Sequence, residues 1–172
     1  MDRDMTSLIR DIPDFPIPGI LFRDITTLLK DGPAFRYAID SLSAKLEELK
    51  PDKVVGIESR GFIIGAPIAY KLGVGFVIVR KLGKLPAETI TAEYELEYGT
   101  NSVEMHKDAI APGERVVIVD DLLATGGTTQ ATIELVEQLE GKIVALAFLI
   151  ELTDLGARDF LQGQNIVTLI QY

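Results

Sequence analysis

VVIVDDLLATGGTT, residues 116–129, is the stretch on which the reading of this chain turns. Val116 to Val119 are an unbroken β-branched run, the composition of a parallel strand buried on both faces. Asp120 and Asp121 follow directly, where such a strand is expected to leave its sheet. Ala124-Thr125-Gly126-Gly127-Thr128 is then small and rich in glycine and threonine, and Ile133, Val136 and Leu139 continue at helical spacing. A strand, an acidic pair, a glycine loop and a helix N-terminus together suit a phosphorylated sugar. Loop amides and the positive helix end favour phosphate, and carboxylates accept hydrogen bonds from hydroxyls. The turn is not a P-loop, because no lysine precedes Thr128, and it lacks the G-x-G-x-x-G spacing of a dinucleotide site.

The rest of the composition narrows the class. At 172 residues and 47% hydrophobic content, the chain is long enough for one domain that buries about two-thirds of its unfolded surface. Zero cysteines exclude disulfides and thiolate metal sites and agree with a cytoplasmic location. The opening MDRDMTSLIRD carries acids and no apolar signal core, so export is not expected. No apolar run approaches the ~20 residues that cross a bilayer. A formal charge of −9 argues against non-specific nucleic-acid binding.

That charge is unevenly spread. From Ser59 to Ala87 there is no acid, but Arg60, Lys71, Arg80, Lys81 and Lys84 are all basic. An acidic chain with one basic segment reserves that charge for an anionic ligand. Lys71 reads instead as a solvated helix residue. The lone His106, without a second histidine or any cysteine, founds no zinc site and reads as a strand end facing water.

Strands and helices alternate along the chain. Asp31-Gly32-Pro33 opens a helix with apolar residues from Phe35 to Leu49, ended before Pro51. Residues 53–57 read as a strand, 61–72 as a helix and 75–79 as a strand. After the central motif come a strand over 143–150, a short helix near 154–161 and a last strand at 166–170. This is an α/β pattern around a mainly parallel sheet flanked by helices. Ligands of such sheets bind beyond the C-terminal strand ends, which places Glu58-Ser59-Arg60, Arg80-Lys81 and Asp120-Asp121 together.

Two regions interrupt the alternation. Residues 12–29, IPDFPIPGILFRDITTLL, hold three prolines and a glycine within an apolar stretch, and so form an ordered loop or small subdomain rather than one helix. Residues 83–100, GKLPAETITAEYELEYGT, alternate from Glu93 to Tyr98, with Glu93, Glu95 and Glu97 on one face. An exposed two-stranded ribbon with a solvated acidic face accounts for Glu93 and Glu95.

Taken together, these segments resemble a known family. VVIVDDLLATGGTT resembles the phosphoribosyl-pyrophosphate (PRPP) motif of type I phosphoribosyltransferases. FPIPGILFRDIT, ESRGFIIGAP, RKLGKLP, LEYG and IELTDLGARDFL resemble, in order and over nearly the whole chain, the adenine phosphoribosyltransferases. The resemblance implies a type I phosphoribosyltransferase fold as one domain over 1–172, with an N-terminal hood at about 12–30 and a flexible catalytic loop at about 83–100. It implies purine salvage: adenine and PRPP giving AMP and pyrophosphate. Ala124 to Thr128 would hold the 5′-phosphate, Asp120 and Asp121 the ribose hydroxyls, and Arg60 and Lys84 the leaving group, helped by Arg80 and Lys81. Phe22 and Arg23 match hood positions against the base. Glu97 matches the glutamate near the purine imidazole, and Tyr98 the loop tyrosine near the reaction centre.

Ala124 stands where relatives that use 6-oxopurines commonly carry an aspartate, which leaves Glu97 as the carboxylate for proton transfer. A xanthine-specific relative shares that lack, but the hood sequence disfavours it. Mg²⁺ is expected mainly through pyrophosphate and water, with no protein ligand of its own, and the family is dimeric. The rival reading is a PRPP sensor that binds nucleic acid; the charge, the retained Glu97 and Tyr98 and the lack of a spare domain disfavour it.

Overall fold

The computed structural model describes residues 5–95 and 99–172, and these fall into two compact units, Met1–Asp40 and Ser41–Tyr172. Proline spacing explains the first unit. A 3-10 turn at Thr6–Leu8 leads to strand β1 (Arg10–Pro13), which pairs antiparallel with β2 (Leu21–Asp24). Pro13, Pro16 and Pro18 keep the intervening chain out of a helix. Gly19, at φ +89°, turns it back, with its amide donating to Asp14 Oδ1 at 2.7 Å. A single helical turn, α1 (Thr26–Leu29), follows. Asp24 accepts hydrogen bonds from the Thr26 amide (2.9 Å), Arg10 Nε (2.9 Å) and the Thr26 hydroxyl (2.8 Å). The Thr26 amide first, then Arg10 and the Thr26 hydroxyl, hold its carboxyl down to about 2. Phe22 meets Phe15 edge-on at 5.2 Å, and Arg23 forms an ion pair with Asp11.

Helix α2 (Gly32–Glu47) carries residues of both units and starts where Asp31 accepts the Ala34 amide at 2.9 Å. The second unit then alternates as expected: β3 (Lys53–Ile57), α3 (Arg60–Leu72), β4 (Gly75–Lys81), β5 (Thr89–Glu95), β6 (Thr100–His106), β7 (Arg115–Leu123), α4 (Gly127–Gln138), β8 (Lys142–Glu151), α5 (Ala157–Phe160) and β9 (Ile166–Gln171). The sheet order is β5-β6-β4-β3-β7-β8-β9. Neighbours from β4 to β9 are parallel, and the β4–β6 and β5–β6 pairs are antiparallel.

One expectation is extended and one corrected. Glu93 and Glu95 are exposed on a two-stranded antiparallel pair, as expected. β6 pairs with β4 through Arg80↔Glu104 and Lys81↔Val103, so β5 and β6 extend the main sheet. The helix expected near 154–161 is a 3-10 turn at Thr153–Leu155 and then α5, divided by Gly156 at φ +69°. A left-handed glycine ends one turn and starts the next, which apolar periodicity does not register.

Alternate strand residues bury opposite faces of the sheet. Val55, Ile57, Val79, Ile118, Leu146 and Phe148 join Ile133 and Val136 of α4 in one apolar cluster. On the face that meets α3, glycines set the spacing. A Cβ on Gly56 would lie 2.6 Å from Phe76 Cζ, and one on Gly65 would lie 2.8 Å from Phe76 Cε2. The Phe76 ring therefore occupies a slot between β3 and α3 that either side chain would fill. Gly56→Ala should lower stability by about 1–3 kcal/mol, the usual cost of overpacking, read as a fall in the urea midpoint. Phe76→Leu in the same chain should recover part of that loss. An unchanged midpoint for Gly56→Ala would show that the ring moves aside without cost.

Candidate active site

Unequal pairing at the two edges of β7 makes the site. Against β3, β7 is paired only as far as Val119, opposite Gly56; against β8 it continues to Leu123, opposite Glu151. Asp120 and Asp121, expected where the strand leaves its sheet, are thus residues of the strand itself, which runs on to Leu123. The β8 ladder keeps this stretch extended after its other neighbour has turned away. Arg80 and Lys81 likewise are the last residues of β4.

The space left beside β7 takes the first turn of α3. A Cβ on Gly61 would lie 2.8 Å from the Val119 carbonyl oxygen and 2.9 Å from Asp120 Oδ1, so only a glycine lets the helix come this close. This approach sets Arg60 Nε 2.6 Å from Asp121 Oδ2. The Asp121 amide donates to Asp120 Oδ1 at 2.9 Å. Removal from water pushes the Asp120 carboxyl well above the usual carboxylate range, and the neighbouring Asp121 charge adds to this. Burial also raises Asp121, against the opposing pull of Arg60.

Arg80 and the backbone at Lys81 are tied to Glu58 nearby. Glu58, directly after β3, accepts Arg80 Nη2 on Oε1 and the Lys81 amide on Oε2, both at 2.9 Å. The Arg80 hydrogen bond holds the Glu58 carboxyl below its ordinary range despite burial. Arg80 Nη1 also reaches the Lys84 carbonyl at 3.3 Å, while its Nε is buried with no hydrogen-bond partner among the described residues. Side chains of Lys81 and Lys84 are exposed.

Ala124 to Gly126 form the turn from β7 to α4. Gly126 caps α4 at φ +92°, and a Cβ there would meet Phe160 Cδ1 at 3.1 Å. The first turn of α4 contains no acid, so its amides and the helix dipole present a positive end at Gly127 and Thr128. A cavity of about 570 Å³ opens there, lined by Thr125, Gly127, Tyr94 and Phe160 and by three acids, Glu93, Glu95 and Glu134.

The second unit thus gathers Arg60, Arg80, Asp120 and Asp121 and sets the 124–128 turn directly after that strand. Phe22 and Arg23 belong to the first unit, and Glu97 and Tyr98 lie outside the described residues. Sequence reading missed Glu58 as a partner of Arg80, buried Glu104, and Glu151. The last is buried and takes Arg158 Nε at 2.6 Å and Arg158 Nη2 at 2.8 Å. Strand-end position marked Glu58, whereas the charged neighbours of His106, Glu104 among them, read as a strand end facing water.

Comparison with known proteins settles the family. The profile described as phosphoribosyl transferase domain matches residues 26–160. An adenine phosphoribosyltransferase of Alkaliphilus oremlandii is 60% identical over 169 residues, covering 98% of each chain. This chain belongs to the adenine phosphoribosyltransferase family. Its fold is that of the type I phosphoribosyltransferases. The crystal structure of the Thermoanaerobacter pseudethanolicus adenine phosphoribosyltransferase superposes with a TM-score of 0.96 at 57% identity, over 98% of each chain. That of the Saccharomyces cerevisiae enzyme, complexed with an imino-altritol bisphosphate and adenine, gives 0.92 at 43%, over 96% of each.

The acidic pair makes a stability prediction. A carboxyl whose folded pKa is raised contributes favourably while protonated, and that contribution is lost as pH rises through the folded value. Asp120→Asn should therefore raise Tm of the ligand-free protein at pH 7–8, by about 2–4 °C for each kcal/mol relieved, and the gain should shrink towards pH 4. A lower Tm at pH 7–8 would mean that the Asp120 charge stabilises the fold.

Proposed function

We propose that this chain performs the adenine phosphoribosyltransferase reaction with the residues gathered at the C-terminal ends of β3, β4 and β7. Adenine and PRPP give AMP and pyrophosphate: the bond from ribose C1 to pyrophosphate breaks, N9 of adenine bonds to C1, and the purine gives up a proton. One observation carries this reading, the 2.6 Å contact that joins Arg60 of the basic segment to Asp121 of the acidic pair. A guanidinium suited to pyrophosphate beside carboxylates suited to ribose supports the reading.

The turn from Ala124 to Thr128 holds the 5′-phosphate with its amides and hydroxyls. Asp120 and Asp121 accept the ribose hydroxyls, and their negative charge favours the oxocarbenium-like transition state as C1 loses its leaving group. Arg60 and Lys84 receive the departing pyrophosphate, with Arg80 and Lys81 assisting. Glu97 assists proton transfer at the purine ring, and Tyr98 lies near the reaction centre. Phe22 and Arg23, in a hood at about 12–30, face the base. In the 83–100 segment, closure beyond the anchored Lys84 turn keeps water from competing for C1.

Mg²⁺ fits this donor set as an ion carried by its substrate. Among the described residues no group of three or more His, Cys, Asp or Glu side chains could hold a metal. Phosphate oxygens and water match the hard-oxygen preference of Mg²⁺, so the ion needs no protein ligand of its own. When bound it would neutralise pyrophosphate, while Asp120 and Asp121 keep their part toward the ribose hydroxyls. We further read the chain as one phosphoribosyltransferase domain over 1–172, acting in the cytoplasm as a homodimer. Among the described residues no helix is long and apolar enough to cross a membrane.

AMP formation from PRPP and Mg²⁺, run with adenine, hypoxanthine, guanine and xanthine, tests the assignment. Adenine should be preferred over each 6-oxopurine by roughly a hundredfold or more in kcat/KM, because a site that pairs with one set of base donors and acceptors leaves buried groups unpaired against the other. Comparable rates with a 6-oxopurine would overturn the base assignment. Glu97→Gln should reduce kcat by roughly 10²–10⁴-fold while PRPP affinity is retained. Equal turnover in the two proteins would remove Glu97 from the mechanism.

A further inference from the structure

We propose that Glu104 is a positioning residue, which holds the turn carrying Lys84 in place for the pyrophosphate of PRPP. This rests on the role given to Lys84 above. Glu104 is in the middle of β6 and only 3% exposed, an unusual place for a carboxylate without a salt-bridge partner within 4 Å among the described residues. Both the Lys84 amide and the Leu85 amide donate to its Oε1, each at 2.8 Å. One buried oxygen thus gathers two successive backbone donors, one of them from the very residue whose ammonium group the mechanism uses.

The neighbouring register shows why such an anchor is needed. β4 pairs with β6 through Arg80↔Glu104 and Lys81↔Val103, and one further amide, that of Leu82, reaches the Ser102 carbonyl at 3.3 Å. There the chain leaves the ladder, turns at Gly83 with φ +81° and runs on to β5. Without an acceptor the Lys84 and Leu85 amides would have no ladder partner. Glu104 supplies it from the adjacent strand, while Arg80, directly opposite Glu104 and on the same face, bonds the Lys84 carbonyl. Lys84 is thereby held at both its amide and its carbonyl, and its exposed side chain starts from a fixed backbone. Although burial opposes its charge, the Leu85, Lys84 and Gly83 amides and the Thr89 hydroxyl together keep the Glu104 carboxyl below its ordinary range.

Because both amides share Oε1, the anchor needs an acceptor oxygen rather than a charge, and this sets the test. Glu104→Gln keeps the oxygen, whereas Glu104→Leu removes it. The two variants and Lys84→Ala are to be compared with the parent protein by thermal unfolding, by steady-state kinetics with PRPP and adenine varied separately, and by amide exchange at residues 84 and 85. Glu104→Leu should fold, raise KM for PRPP about tenfold or more, leave KM for adenine within about twofold, and speed exchange at both amides. Glu104→Gln should restore slow exchange and a KM for PRPP within about twofold of the parent.

The proposal fails if folded Glu104→Leu keeps the parent KM for PRPP while Lys84→Ala raises it. It also fails if Glu104→Gln is as impaired as Glu104→Leu, which would make the charge the active element. Should Glu104→Leu not fold, rapid exchange at residues 84 and 85 in the parent protein would overturn the anchor by itself, and slow exchange retained in Glu104→Gln would uphold it. An unaltered KM for PRPP in Lys84→Ala would instead sink the pyrophosphate role of Lys84, and the exchange data would still decide whether Glu104 holds the turn.

Discussion

Two adjacent carboxylates largely removed from water are the constraint around which the second unit is built. Asp120 and Asp121 sit on a central strand, where both stay ionised only at a cost. The structure meets that cost with a helix N-terminus and one guanidinium, and both arrive through a single glycine. If Gly61 carried a side chain, α3 could not lie against β7, and Arg60 would be withdrawn from Asp121. The early end of β3 opens the space for that approach, and the longer pairing with β8 keeps the acids extended within it. Folding energy contributed by the parallel core is thus spent on holding an electrostatically unfavourable group ready for a ligand.

The basic segment follows the same logic. Its two guanidinium groups are paired, Arg60 with Asp121 and Arg80 with Glu58, and the backbone of the exposed Lys84 is held from Glu104. Each cation or its backbone is positioned by a carboxylate before any anion arrives. Prior placement reduces the side-chain ordering that binding would otherwise require. On the proposed reading, recognition of the diphosphate depends on where the charges stand rather than on how many there are.

Much of this could be read from residues because local pattern and tertiary role coincide. The β-branched run at 116–119 can only be a buried strand, and the alternation of elements around it fixes a parallel sheet. The acidic pair, the glycine turn and the acid-free stretch were visible as chemistry before they were visible as geometry. What escaped notice depended on partners far along the chain. Glu104 looks like any polar residue of an alternating strand until β4 and the turn after it cover it. The left-handed glycine at 156 divides a segment whose composition reads as one helix. Asp120 and Asp121 were expected where the strand leaves its sheet because the extra length of β7 is set by β8, which lies more than twenty residues further on.

The open margin of the sheet bears on the colloidal behaviour of the protein. Among the described residues β5 pairs only with β6, so its other side offers unpaired amides and carbonyls to any extended chain it meets. Its sequence, TITAEYE, is rich in β-branched and aromatic residues, the composition that invites strand addition. Glu93 and Glu95 stand exposed along that margin, and on a chain of net charge −9 they make a second copy's margin a poor partner. The negative charge that first argued against nucleic acid thus also disfavours edge-to-edge pairing of two copies.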